Sequence, residues 1–247
     1  GAGASGNIAI TLGAAVNITA PGLINQAAGG NVTLNVTGNI VFQAGAGVLG
    51  TLSLTSTAAI TQTAGSIGAG SLVITTATVG PLNTSLGSLQ IDRTAGDVQI
   101  TNNGALTIAG TGINDATGNI ILSSTGTLTV NGDLNATGFN LTLTSTLANV
   151  TRSGGTITGN LLTLNSVTGA SIGAGLTVTN LQGTNSGVGN VSVVNGAALT
   201  VSGTGYSNVN GATTAIQTTV GNLTITSPVT TGGNALTLQS AGTVTAT

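Results

Sequence analysis

Gly118-Asn119-Ile120-Ile121-Leu122-Ser123-Ser124-Thr125-Gly126-Thr127-Leu128-Thr129-Val130-Asn131-Gly132-Asp133-Leu134 is the stretch that decides the fold of this 247-residue chain. It holds two short apolar-x-apolar runs, Ile120 to Leu122 and Leu128 to Val130, each opened by a glycine turn. Alternation of this kind, bounded by Gly and Asn, marks a short half-buried strand. The same phrase returns at Gly30-Asn31-Val32-Thr33-Leu34, Gly50-Thr51-Leu52-Ser53-Leu54 and Gly70-Ser71-Leu72-Val73-Ile74. It returns again at Gly138 and Gly159, so the starts 30→50→70 are 20 and 20 residues apart and 118→138→159 are 20 and 21. A fixed period in this range is the signature of a solenoid.

One period therefore carries two or three short strands joined by turns, which is one coil of a parallel β-helix. The expected fold is all-β, a single-stranded parallel β-solenoid of roughly 20 residues per coil and about twelve coils. At the spacing of paired strands this is a rod of about 58 Å. Val, Ile and Leu fill its inside in columns. No helical stripe competes, because Gly recurs too often. Residues 1–247 read as one solenoid segment, part of a longer fibre or a stacking subunit, since the chain starts and ends in mid-pattern at Gly1 and Thr247. The phrases at Gly175, Gly189 and Gly221 are 14 and 32 apart, which predicts a loop excursion over 204–214, around Tyr206. Ser66-Ile67-Gly68-Ala69-Gly70 recurs as Ser171-Ile172-Gly173-Ala174-Gly175, which reads as duplication of five whole coils. Pro21, Pro81 and Pro228 fall beside turns, where a missing N–H does no harm to a ladder.

Charge is nearly absent. The charged residues are Asp92, Arg93, Asp97, Asp115, Asp133 and Arg152, 2% of the chain, against roughly a quarter in a typical soluble domain. With 40% apolar residues the chain is not of the disordered class. Lacking a basic surface, it is expected to bind neither nucleic acid nor anionic membrane. No apolar run is long enough to insert into a membrane, and no signal peptide opens the chain. The absence of Cys and His excludes disulfides, zinc sites and nucleophilic triads.

No catalytic, cofactor-binding or metal-binding residues are assigned, and the chain is not expected to be an enzyme. Polysaccharide-cleaving β-helices need converging carboxylates. Here only Asp92 and Asp97 share a period, with Arg93 beside them, and neighbours on a strand point to opposite faces. Asp115 lies 18 residues from both Asp97 and Asp133, so stacked turn acids offer a place for a cation; solvated turn aspartates are the plainer reading. Asn-x-Ser/Thr sequons, such as Asn31, Asn140 and Asn190, follow from the repeat grammar and carry little weight for glycosylation. Phe42 and Phe139 read as core or cap fillers, and Tyr206 as the better surface candidate. The Thr-x-Thr pairs 127/129, 142/144, 177/179, 224/226 and 243/245 are consistent with a flat array on one face, as ice-binding solenoids present, or with the ordinary preference of strands for outward Thr.

The phrases from Gly118 to Leu134 resemble the repeats of filamentous-haemagglutinin-like bacterial exoproteins, giant secreted adhesins of Gram-negative bacteria. The resemblance covers essentially the whole chain. It implies a right-handed β-helix and an extracellular or cell-surface location. The chain is poorer in charge than that family leads one to expect, which favours a fibre packing against its neighbours. The expected role is a structural fibre or stalk of a surface adhesin or biofilm-matrix protein, self-assembling axially through uncapped coil ends and laterally through low-charge sides. The alternatives are an ice- or surface-binding Thr-rich solenoid and a carbohydrate-active β-helix enzyme.

Overall fold

Along Val32–Val36 the inward residues Val32, Leu34 and Val36 are buried, whereas Thr33 and Asn35 are partly exposed. A strand this short cannot hold itself together. It is held because Leu34 stacks on Ile10 of the coil before and under Leu54 of the coil after. Repeated along the chain, this gives the computed structural model, which describes residues 6–93, 95–114 and 117–247. It is an all-β parallel solenoid of about 11 turns with successive turns about 21 residues apart. In its most regular part Ile120, Leu141 and Leu162 stack in one column and Leu122, Leu143 and Leu164 in the next, all of them fully buried. Pro21, Pro81 and Pro228 all lie outside strands.

The early coils carry three ladders. One starts with Ile8–Leu12 and Val32–Val36. Another is a separate four-stranded sheet, from Val16–Ile18 through Ile40–Phe42 and Ala59–Gln62 to Thr78–Val79. The third starts with Leu23–Asn25. The separate sheet stops at Val79, and a ladder is gained elsewhere. In Leu82–Arg93, Leu89 pairs with Ile108 but Ile91 pairs with Ile113. The strand Leu106–Asn114 therefore bends between these contacts, at Gly110-Thr111-Gly112, and from there feeds two ladders, one through Leu128–Val130 and one through Leu134–Ala136.

The same handover occurs a second time. Leu181 pairs with Val201 and Gly183 with Tyr206, with Gly203-Thr204-Gly205 at the bend of Leu199–Ser207. Beside each bend a fully buried asparagine completes the ladder with its side chain. Asn102 accepts at Oδ1 from Leu86 N (2.8 Å) and donates from Nδ2 to Leu86 O (3.3 Å). Asn195 does the same with Val178 N and O, both at 2.9 Å. A side-chain amide has the donor and acceptor of a peptide group, so it replaces one backbone rung where the strands part.

These two sites correct two sequence readings. Residues 204–207 continue a strand, with Tyr206 paired to Val229, and 208–212 form a short turn rather than an excursion. The irregular phrase spacing comes from a bend inside the strand, which shifts the phase of the glycines. The Ser66 and Ser171 phrases are not equivalent either. Ile67 pairs with Ala46 and Thr84, whereas Ile172 pairs with Val193 on a different ladder. The recurrence that matters structurally is Leu89-Gln90, Asn102 and Gly110-Thr111-Gly112 with Leu181-Gln182, Asn195 and Gly203-Thr204-Gly205.

The interior is also less purely aliphatic than the alternation implies. The last inward residue of successive strands is polar: Asn102, Ser124, Ser145, Ser166 and Asn185, all buried. Their side chains bond turn carbonyls and each other, as in Ser124 Oγ to Gly126 O (2.7 Å) and Asn185 Nδ2 to Gly187 O (2.9 Å). Buried turn groups would otherwise lack partners.

Candidate functional surface

Four of the charged side chains, Arg93, Asp97, Asp133 and Arg152, hold turns. Arg93, buried, donates from Nη1 to Ala95 O (2.5 Å) and Asp97 O (3.0 Å). Arg152 donates from Nε to Gly155 O (2.9 Å). Asp97 Oδ1 accepts from Asn119 N (2.8 Å), and Asp133 Oδ1 accepts from Thr156 N (2.6 Å) and Oγ1 (2.9 Å). Each of these aspartates thus caps the turn one coil further on. Asp92 is exposed on the face opposite Arg93. Asp115 lies outside the described residues. Asp97 and Asp133 do not stack on each other, and among the described residues no three His, Cys, Asp or Glu side chains gather. The surface depressions near Gly47 and Gly68, near Asn149 and Asn190, and near Thr158 and Thr177 are lined without any titratable group.

The aromatic residues are placed differently from the sequence reading. Phe42 is in the core, but Phe139 sits in a turn and is 37% exposed. Tyr206, expected on the surface, is buried opposite Gly183, and its hydroxyl has no hydrogen-bond partner among the described residues. Burial pushes the phenol well above its usual pKa. Since the folded state favours the neutral form, the stability it holds is intact below the unfolded-state value near about 10 and is lost as pH rises beyond it. We expect Tyr206→Phe to be neutral or stabilising at pH 7, by up to about 2 kcal/mol, because it removes an unpartnered buried hydroxyl. The variant should also lose less stability than the parent above pH ~10. Urea unfolding at both pH values measures this, and clear destabilisation at pH 7 would show that the hydroxyl has a partner.

The Thr-x-Thr pairs do not form one array. Thr129 stacks with Thr107 and Thr151, Thr144 with Ser123 and Asn165, and Thr177 with Thr158, on three different ladders. The stacking instead creates single-file columns. One passes through Thr51, Ser71, Ser88, Thr107, Thr129, Thr151, Ser171, Ser192, Ala215 and Thr237, where only Ala215 lacks a hydroxyl. At the rung spacing it is about 43 Å long. A second runs from Asn83 through Thr101, Ser123, Thr144, Asn165, Thr184 and Ser207 to Thr230. Neighbours bond along the axis, as in Asn165 Nδ2 to Thr144 Oγ1 at 3.4 Å. Beside this second column stand Gln99, Ile121, Thr142, Thr163 and Gln182, side chains of unequal size. Sequence inspection missed the columns because paired residues are 17 apart at Ser71–Ser88 but 22 apart at Thr129–Thr151, so no fixed period aligns them.

The chain matches no protein-family model, no curated protein and no solved structure.

Proposed function

We propose that this chain is a structural segment of an extracellular bacterial fibre or stalk of the filamentous-haemagglutinin-like kind, built to associate with itself and without catalytic activity. The observation that carries this reading is the outer wall: long columns of hydroxyl and amide groups, with Arg93, Asp97, Asp133 and Arg152 tied into turns. Uncharged polar rows can meet across a contact without burying unpaired ions, and a formal net charge of −2 offers little repulsion. The described stack also exposes inward-type residues on its first and last rungs, Ile8 at 38%, Leu236 at 41% and Val244 at 47%. Among the described residues these rungs leave backbone groups and apolar surface exposed, the kind of edge on which strands pair. A cell-surface location follows from the repeat resemblance alone.

Sedimentation velocity and light scattering test the reading. Assembly is expected to grow with protein concentration and to survive high salt, because ion pairs contribute little. A stable monomer at all concentrations and salts would overturn self-association.

The hydroxyl column through Thr129 and Thr151 favours a second reading, a surface- or ice-binding solenoid. The unequal side chains beside Thr142 and Thr163 weigh against a regular lattice match. Thermal hysteresis that disappears in Thr129→Leu/Thr151→Leu would establish that reading in place of the first.

A further inference from the structure

We propose that Asn210 is a self-modification site, where the Asn210-Gly211 pair deamidates in the folded protein while the other Asn-Gly pairs are protected. The pairs are Asn103-Gly104, Asn131-Gly132, Asn195-Gly196 and Asn210-Gly211. The reaction needs the glycine backbone nitrogen to lose its proton and attack the asparagine Cγ. A C–N bond forms, the Nδ2 group leaves as ammonia, and water then opens the cyclic imide to aspartate or isoaspartate. Water is the only co-reactant. Glycine favours the step because it has no side chain to obstruct the attack.

In three pairs that nitrogen is engaged. Gly104 N donates to Thr125 Oγ1 (2.6 Å), Gly132 N to Ile108 O (2.9 Å) and Gly196 N to Leu176 O (2.7 Å). Asn195 is also fully buried, with its amide committed to Val178. Gly211, although buried, makes no backbone bond of normal geometry among the described residues; its N–H faces only the carbonyl of Asn208 across the loose turn at Val209-Asn210. Asn210 is exposed in the turn between Leu199–Ser207 and Thr213–Thr218, and its Nδ2 makes one bond, to Ser186 O at 3.0 Å. An N–H held in a ladder is neither deprotonated nor free to swing onto Cγ until the rung opens, which slows the reaction by about tenfold for each 1.4 kcal/mol of local stability. The chemistry has a physical consequence. No charged residue follows Arg152 in the sequence, so the product carboxylate is the first charge on the last 95 residues (153–247), and it can no longer donate to Ser186 O.

The test is peptide mapping by mass spectrometry after incubation of the native protein in heavy-oxygen water at mildly alkaline pH, with urea-unfolded protein as reference. The expected result is heavy-oxygen label at residue 210 in the native protein, with Asn103, Asn131 and Asn195 slowed by about tenfold or more relative to their unfolded rates. Asn210→Gln should abolish the native-state label. Label at Asn103 or Asn131 as fast as at Asn210, or an unmodified Asn210 in protein whose unfolded form reacts, would overturn the proposal. Neither outcome depends on whether the rods associate.

Discussion

Leu143→Asp is expected to abolish the thermal transition of the regular part of the rod. Leu143 is fully buried in a column between Leu122 and Leu164, with aliphatic residues on the coils before and after. No described basic group faces this column, since Arg93 and Arg152 are bonded to turns of their own. A lone carboxylate there loses the apolar contacts of Leu and leaves an ion without a partner. Together these cost on the order of 5 kcal/mol, comparable to the whole stability of a typical domain. Because each coil touches only its neighbours, the damage spreads by uncovering the next coils on both sides. Leu128→Asp should behave alike, whereas Thr142→Ser, on the outward face, should be nearly silent. Circular dichroism melts decide it. A Leu143→Asp melt matching the parent would mean that the inside and outside of this strand are exchanged.

Gly112→Ala is expected to be nearly as damaging, although it adds only a methyl group. Gly112 has φ +85°, and a Cβ there would lie 1.9 Å from Asp133 O and 2.3 Å from Asp133 N, both backbone atoms of the next coil. The left-handed conformation alone costs a non-glycine residue about 1–2 kcal/mol, and relieving the clash requires the two coils to separate where the ladder divides. Gly104→Ala is the control, because its φ is +103° but nothing lies within 4 Å of its Cβ. The control should show the conformational penalty without the clash. Equal melting of the two variants would show that the Gly112 corner does not set the approach of the coils.

The coil was legible in the sequence because alternation and turn chemistry are local, and a strand such as Leu141–Ser145 shows both within five residues. The inward polar corner was in principle legible too: Ser124, Ser145 and Asn102 each sit two positions after the last inward aliphatic, just before a turn. It was overlooked because a polar residue ending a strand looks like the start of the loop. The ladder handovers were not legible as a period. Gly110-Thr111-Gly112 and Gly203-Thr204-Gly205 look like turns, yet they bend strands that stay paired on either side, with the register shifted across the bend. What turns a glycine pair into a corner is the backbone of the adjacent coil, which sequence spacing does not display. Tyr206 was misplaced for the same reason: its room in the core is set opposite Gly183, 23 residues earlier.

The two handovers also bear on how such a rod breaks. A wall of parallel strands pulled sideways tears along the line between its ladders, as wood splits along the grain. If three ladders ran unbroken from end to end, a tear begun at one tip would meet the same weak line at every coil. Here strands such as Ala46–Ser56 and Ile157–Ser166 are laced into two ladders, and at Gly110-Thr111-Gly112 and Gly203-Thr204-Gly205 a ladder also divides, with the amides of Asn102 and Asn195 stitching the adjoining gap. A tear reaching any of these places has to cut across a strand instead of running between strands, so the rod carries built-in crack stops.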